Sequence, residues 1–219
     1  MGFDRLATVA AFVGLICLGP ATAEAHPHVF VDAKTGIVFD PQGRFSAVRN
    51  IWQFDETFSD FAIQGLDKDG NGNLSPAELK PLADLNIKSL KEFLFFTYLA
   101  DGNQEAKFLY PKEYHLEFHG GQLTLFFTLP LETPMAVDRK TVLEIFDPEY
   151  FVAFTFVKNH PIALDQAPKG CSAAFHPPRE LDAQTMATLA AIPIDQHDLP
   201  PGLVQMASAL ANSFTIACK

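Results

Sequence analysis

The chain has 219 residues, 48% of them hydrophobic and 19% charged, with a formal net charge of −10. That length supports one principal domain with a sizeable core and room for a small appended unit. The acidic balance excludes an electrostatic role on nucleic acid or anionic lipid and makes cations the natural small partners.

Residues 1–25 have the form of a targeting segment. Arg5 precedes an apolar run from Leu6 to Leu18, and Ala23-Glu24-Ala25 has the small-x-small pattern of a signal-peptidase site. The run is too short for a comfortable membrane span. A cleaved signal peptide is therefore expected, leaving residues 26–219 as a single β-rich periplasmic domain with no membrane span. Cys17 would leave with the signal. The mature chain then keeps two thiols, Cys171 and Cys218, and two cysteines in an exported protein predict one disulfide. Closing a loop of that length contributes about 4 kcal/mol in the chain-entropy model.

The expected mature chain opens with His26-Pro27-His28. A free α-amine beside the His26 imidazole, with His28 two residues on, is a nitrogen donor set suited to Cu2+, Ni2+ or Zn2+. Pro27 has no amide hydrogen, which rules out the square-planar mode that uses a deprotonated second amide. A histidine brace like the copper site of lytic polysaccharide monooxygenases, or a two-histidine site completed from elsewhere, remains open beside the plain reading that these residues start a strand. Strand signals follow at Val29–Ala33, Ile37–Asp40 and Phe45–Phe54, separated by Lys34-Thr35-Gly36 and Pro41-Gln42-Gly43.

A helical insertion is expected from about Asp55 to Lys91. Asp55 is a candidate N-cap, and Phe58, Phe61, Ala62 and Leu66 recur at helical spacing. The stretch Asp67–Glu78, DKDGNGNLSPAE, then has the spacing of a calcium loop: Asp67, Asp69 and Asn71 at positions one, three and five, Gly72 at six and Glu78 at twelve. Calcium takes about six to eight oxygen ligands at roughly 2.3–2.6 Å. Side chains two apart in a tight loop aim at one centre, and Gly72 sits where the backbone turns sharply. Asn73 would offer its carbonyl, Ser75 its hydroxyl or a bridging water, and Glu78 both carboxylate oxygens. Ser75-Pro76-Ala77-Glu78 also reads as a helix start with a capping box, so Glu78 would be cap and ligand together. Over this helix, loop and helix the chain resembles EF-hand proteins. Pro81 is expected to kink or shorten the second helix.

Strand signals resume at Phe93–Leu99 and Ala106–Tyr110, flanking a hairpin at Asp101-Gly102-Asn103. Tyr114–Phe118, Leu123–Leu129, Thr141–Phe146 and Phe151–Val157 continue the cadence. Two short helices are expected at Leu181–Ala191 and Leu203–Ala211, joined through Pro193 and Pro200-Pro201, before a last strand at Phe214–Cys218. The fold class is α+β: an antiparallel sheet or sandwich, with an EF-hand insertion at 55–91 and short C-terminal helices.

Alternation places His115, Glu117 and His119 on one strand face, but the two histidines would lie about 13 Å apart at roughly 3.3 Å per residue. A solvated polar face is the better reading. His160, His176 and His197 fall near prolines in loops. No GxxxxGK[ST], HExxH, CxxC or strand-following GxGxxG is present. Gly170-Cys171-Ser172-Ala173-Ala174 falls short of a nucleophile elbow.

His26-Pro27-His28-Val29-Phe30-Val31-Asp32-Ala33, Trp52-Gln53-Phe54-Asp55-Glu56 and Asp147-Pro148-Glu149-Tyr150-Phe151-Val152-Ala153-Phe154 together resemble a family of bacterial periplasmic proteins assigned to a transport system. Members are often encoded beside nickel/cobalt permeases, so the resemblance implies metal handling outside the inner membrane. The leading expectation is a non-enzymatic, calcium-binding (Ca2+) accessory of a metal permease, with a transition metal (Ni2+, Co2+, Cu2+ or Zn2+) at His26 and His28. A copper-dependent oxidase with a histidine brace, and an envelope interaction module with structural calcium only, are the alternatives.

Overall fold

In this computed structural model residues 27–102, 104–137, 141–192 and 208–218 are described. The expected signal peptide, His26, His197, the prolines at 193, 200 and 201 and most of the second expected C-terminal helix lie outside them. In chain order the strands are β1 (Val29–Phe39), β2 (Phe45–Phe54), β3 (Thr97–Asp101), β4 (Gln104–Glu105), β5 (Tyr114–His119), β6 (Gln122–Met135), β7 (Thr141–Ile145), β8 (Val152–Phe156), β9 (Ile162–Asp165), β10 (Ser172–His176) and β11 (Asn212–Ala217). The α-helices are α1 (Glu56–Ala62), α2 (Pro76–Leu90) and α3 (Ala183–Ala190).

Period-two burial builds the layers. Along β6, Leu123, Leu125, Phe127, Leu129 and Leu131 are buried while the residues between them are half-exposed. One sheet runs β5-β6-β2-β1-β8, with β9 also on β1, and the other runs β10-β11-β7-β3-β4. The two sheets and α2 share one apolar core. Phe156 of β8 meets Phe214 of β11 edge-on at 4.9 Å between ring centroids. A buried polar thread also crosses the interior: Thr35 Oγ1 donates to Asn50 Oδ1 at 3.0 Å, and Asn50 Nδ2 to Thr97 Oγ1 at 3.2 Å. Every group in the thread has a partner, as a low-dielectric interior requires.

The α+β class with mostly antiparallel strands is as the pattern predicts, but several elements differ. The expected break at Lys34-Thr35-Gly36 is absent, and β1 runs through it. Gly36 pairs with Ala163 in the parallel β1–β9 ladder, so the glycine lies inside a strand rather than at a turn. The edge of β1 is shared lengthwise by two parallel partners, Val152–Phe156 against Val29–Ala33 and Ile162–Asp165 against Thr35–Val38. Neither β9 nor β10 is anticipated from the sequence, because both are short and only partly buried.

Residues Lys91–Phe96 form a 3-10 segment rather than the first half of a strand. Ala106–Tyr110 keeps only a bridge from Phe108 to Leu131. The hairpin at Gly102 forms as expected, with φ 62° and Asp101 paired to Gln104. Pro81 does not shorten its helix: α2 runs 15 residues around it, held by the buried side chains of Leu79, Ala83 and Ile87. At the other end of the chain, β11 lies between β10 and β7, and Cys171 and Cys218 are disulfide-bonded, 3.9 Å apart at Cα. They sit one step beyond the Ser172–Ala217 pair of the β10–β11 ladder, so the strand register brings the thiols together.

Candidate metal centre

The loop of Asp67–Glu78 is shaped by its own carboxylates. Asp67 accepts from the backbone N–H of Gly72 at 2.9 Å and of Asn71 at 3.2 Å, and Asp69 accepts from Asn71 N–H at 3.1 Å. Asn71 Oδ1 accepts in turn from Asn73 N–H at 2.7 Å. These are Asx-type turns, in which a short polar side chain captures the backbone two or more residues on. Gly70 and Gly72 adopt φ 69° and 78°, the left-handed region that a side chain would penalise. Leu74 packs against the core and anchors the otherwise polar loop. The sequence signal for that role is its apolar side chain between Asn73 and Ser75.

Glu78 closes the loop. Ser75 Oγ accepts from Glu78 N–H, and a Glu78 oxygen accepts from Ser75 N–H at 2.9 Å and from Ser75 Oγ–H at 2.7 Å, completing the expected capping box. Its second oxygen accepts from Lys68 N–H at 2.9 Å, which ties the loop's entry to its exit. These donors, Ser75 N–H foremost, then Ser75 Oγ–H and Lys68 N–H, hold the Glu78 carboxyl at a pKa of about 2. It is ionised at any pH near neutral.

Asp67, Asp69 and Glu78 each place one carboxylate oxygen within 4.8 Å of the others, the one such group of metal-ligating side chains among the described residues. Three carboxylates so close repel one another unless a cation lies between them, and oxygen-only donors suit a hard ion. The arms differ from expectation on one side. α1 stops at Ala62, and Gly65, at φ 75°, turns the chain before Leu66, whose N–H bonds Ile63 O at 3.0 Å. The helical spacing of Phe58, Phe61 and Ala62 is thus realised for two turns only, and Phe61 stays exposed.

Of the histidine pair at the start, His28 is described. Its ring lies 4.8 Å from that of Phe151, and its N–H donates to Phe151 O at 2.9 Å. His115, Glu117 and His119 do share one exposed face: His115 Nε2 and His119 Nε2 are 3.4 and 3.7 Å from different Glu117 oxygens, and His115 stacks on Phe126.

The sequence predicts Asp55 as a helix N-cap, which the structure bears out and extends, and it predicts no role for Asp147, which the structure supplies. Asp55 caps α1 through Phe58 N–H at 2.8 Å while its other oxygen accepts from Phe30 N–H at 2.9 Å. Asp147, 3% exposed, accepts from the N–H groups of Glu149, Phe151 and Val152, all at 2.9 Å. The segments around His28, Asp55 and Asp147, far apart in sequence, therefore meet at the start of β1.

A mixed α+β protein built on two sheets, with one acidic cluster on a capped surface loop, is the class these observations define. The chain belongs to the family described as "Protein of unknown function (DUF1007)", whose model matches residues 11–218. It is 28% identical over 151 residues to an "Uncharacterized protein" of Haemophilus influenzae, covering 67% of this chain and 70% of that one. It is also 30% identical over 100 residues to an "Uncharacterized 15.5 kDa protein in trpE 3'region" of Spirochaeta aurantia, covering 45% of this chain and 70% of the relative. Among the described residues no helix is long and apolar enough to cross a membrane.

Proposed function

We propose that this is an exported, non-enzymatic calcium-binding protein that holds Ca2+ in the Asp67–Glu78 loop and serves as a periplasmic accessory of a metal permease. The observation that carries the reading is the approach of the Asp67, Asp69 and Glu78 oxygens to within 4.8 Å of one another. Each carboxylate oxygen has two lone-pair directions, so accepting a backbone N–H leaves capacity for an ion. Asn71 and Ser75 supply further side-chain oxygens, and Asn73 its carbonyl. With a single loop and three carboxylates, affinity falls near the 10⁻⁴–10⁻³ M range of extracellular modules, an order-of-magnitude expectation of about millimolar binding. A disulfide between Cys171 and Cys218 fits an oxidising compartment. The permease link rests on the family resemblance, and His26 with His28 would be the transition-metal donors.

Thermal melts of the purified protein with and without millimolar CaCl2 test the calcium reading. A saturable upward shift that MgCl2 reproduces only weakly, and that Glu78→Gln removes, is the expected result. A melting curve indifferent to calcium overturns it.

A further inference from the structure

We propose that the outward face of β5 carries a transition-metal site distinct from the calcium loop, in which His115 and Glu117 chelate a first-row divalent ion such as Zn2+. Strand alternation leaves His115, Glu117 and His119 exposed on this face while Leu116 is buried on the other. The register cannot slip easily: Gly120 and Gly121, at φ 61° and 83°, make a two-residue turn that pairs His119 with Gln122. His115 Nε2 lies 3.4 Å from one Glu117 oxygen, and His119 Nε2 lies 3.7 Å from the other. The His115 ring is set in place by stacking on Phe126, with 4.6 Å between centroids and 2° between planes.

Both separations exceed the roughly 2.7–3.2 Å of an N–H···O hydrogen bond, so the carboxylate is not consumed by the rings. They are close to the spacing of two ligands on one ion. Bonds of about 2.0–2.2 Å at the tetrahedral angle put neighbouring nitrogen and oxygen donors roughly 3.3–3.5 Å apart, which the His115–Glu117 pair meets as it stands. The His119 pair is slightly wider, and a ring 83% exposed has room to close it. The residues paired with these positions on the same face are Gln122, Thr124 and Phe126, then Gln53 and Ile51. No lysine or arginine stands among them to neutralise Glu117. A mixed imidazole and carboxylate set selects a first-row ion over calcium, the reverse of the oxygen-only loop. The two histidines are too far apart along the strand to share one ion, so His119 and the second Glu117 oxygen form a lesser place of the same kind. With two protein ligands and water in the remaining positions, the site takes up and releases its ion readily.

Zn2+ is diamagnetic, so NMR can follow each imidazole ring separately. The test titrates the purified protein with ZnCl2 and reads the ring signals of His115, His119 and His28. The expected result is saturable movement of the His115 ring, with His119 moving at higher ZnCl2. Glu117→Gln, shown to be folded by circular dichroism, should weaken binding at His115 by at least about tenfold, no less than the loss of a supporting group at a metal site brings. A His115 ring indifferent to Zn2+, movement confined to His28, or unchanged His115 affinity in Glu117→Gln overturns the proposal. The readout is specific to each ring and does not depend on calcium in the Asp67–Glu78 loop.

Discussion

Glu78 and Asp147 are both carboxylates wrapped in backbone N–H groups, and they sit in opposite surroundings. Glu78 accepts from Ser75 and Lys68 on a surface loop, while Asp147 accepts from Glu149, Phe151 and Val152 with 3% of its surface exposed. Burial raises the worth of each bond and the cost of losing it. Asp147 is accordingly part of the architecture: it shapes the turn into β8, and Phe151 O then accepts from His28 and Val29 of the segment opening β1. Water reaches Glu78, so its bonds shape a loop without sealing it, and a cation can still approach. The same chemistry becomes scaffold or site according to solvent access.

The largest expected effect lies on the scaffold side. Replacing Cys171 and Cys218 by serine should lower stability by about 4 kcal/mol in the chain-entropy model, read by urea unfolding, with the calcium response of the surviving folded fraction unchanged. Asp147→Ala should cost about 3 kcal/mol, since it leaves three part-buried N–H donors without their acceptor. A loss below about 1 kcal/mol would place Asp147 with the surface carboxylates and dissolve the contrast.

On the loop side the effects are smaller and depend on the ion. At about 10 mM calcium, a site with the expected affinity stabilises by about 1.4–2.7 kcal/mol, and Glu78→Gln should cancel that gain while changing calcium-free stability far less than Asp147→Ala does. The smallest effect is acid sensitivity. The folded-state pKa of Glu78, about 2, lies below its ordinary value of 4.5, so its contribution is present above pH 4.5 and is lost as pH falls toward 2. Comparing wild type with Glu78→Gln across that window, without calcium, should show a shallow difference that vanishes at the acid end. A difference that grows toward low pH would reverse the sign assigned to the capping bonds.

Much of the loop was legible in the linear chain because its geometry is local. The Ser75–Glu78 capping box, the left-handed turn at Gly72 and the Asp67, Asp69, Glu78 convergence all arise within twelve residues, where spacing alone dictates which groups meet. The premature end of α1 was not legible. The apolar spacing runs on to Leu66, yet Gly65 turns the chain, and Ile63 and Leu66 still reach the core without helix. Phe93–Phe96, within the 3-10 segment, reads as strand in the sequence for a related reason. Its aromatic run has strand composition, but the chain must reverse from the end of α2 into β3.

By itself the sequence determined the strand faces, the capped oxygen-rich loop and the two cysteines available to pair, since each depends on periodicity or composition over a few residues. Only the tertiary structure decided that β8 and β9 share one edge of β1 in parallel, and that Asp55 and Asp147 hold the start of β1 and β8. Those outcomes join residues tens of positions apart. They follow from packing two sheets and a helix around one core, a condition that no short window of the chain contains.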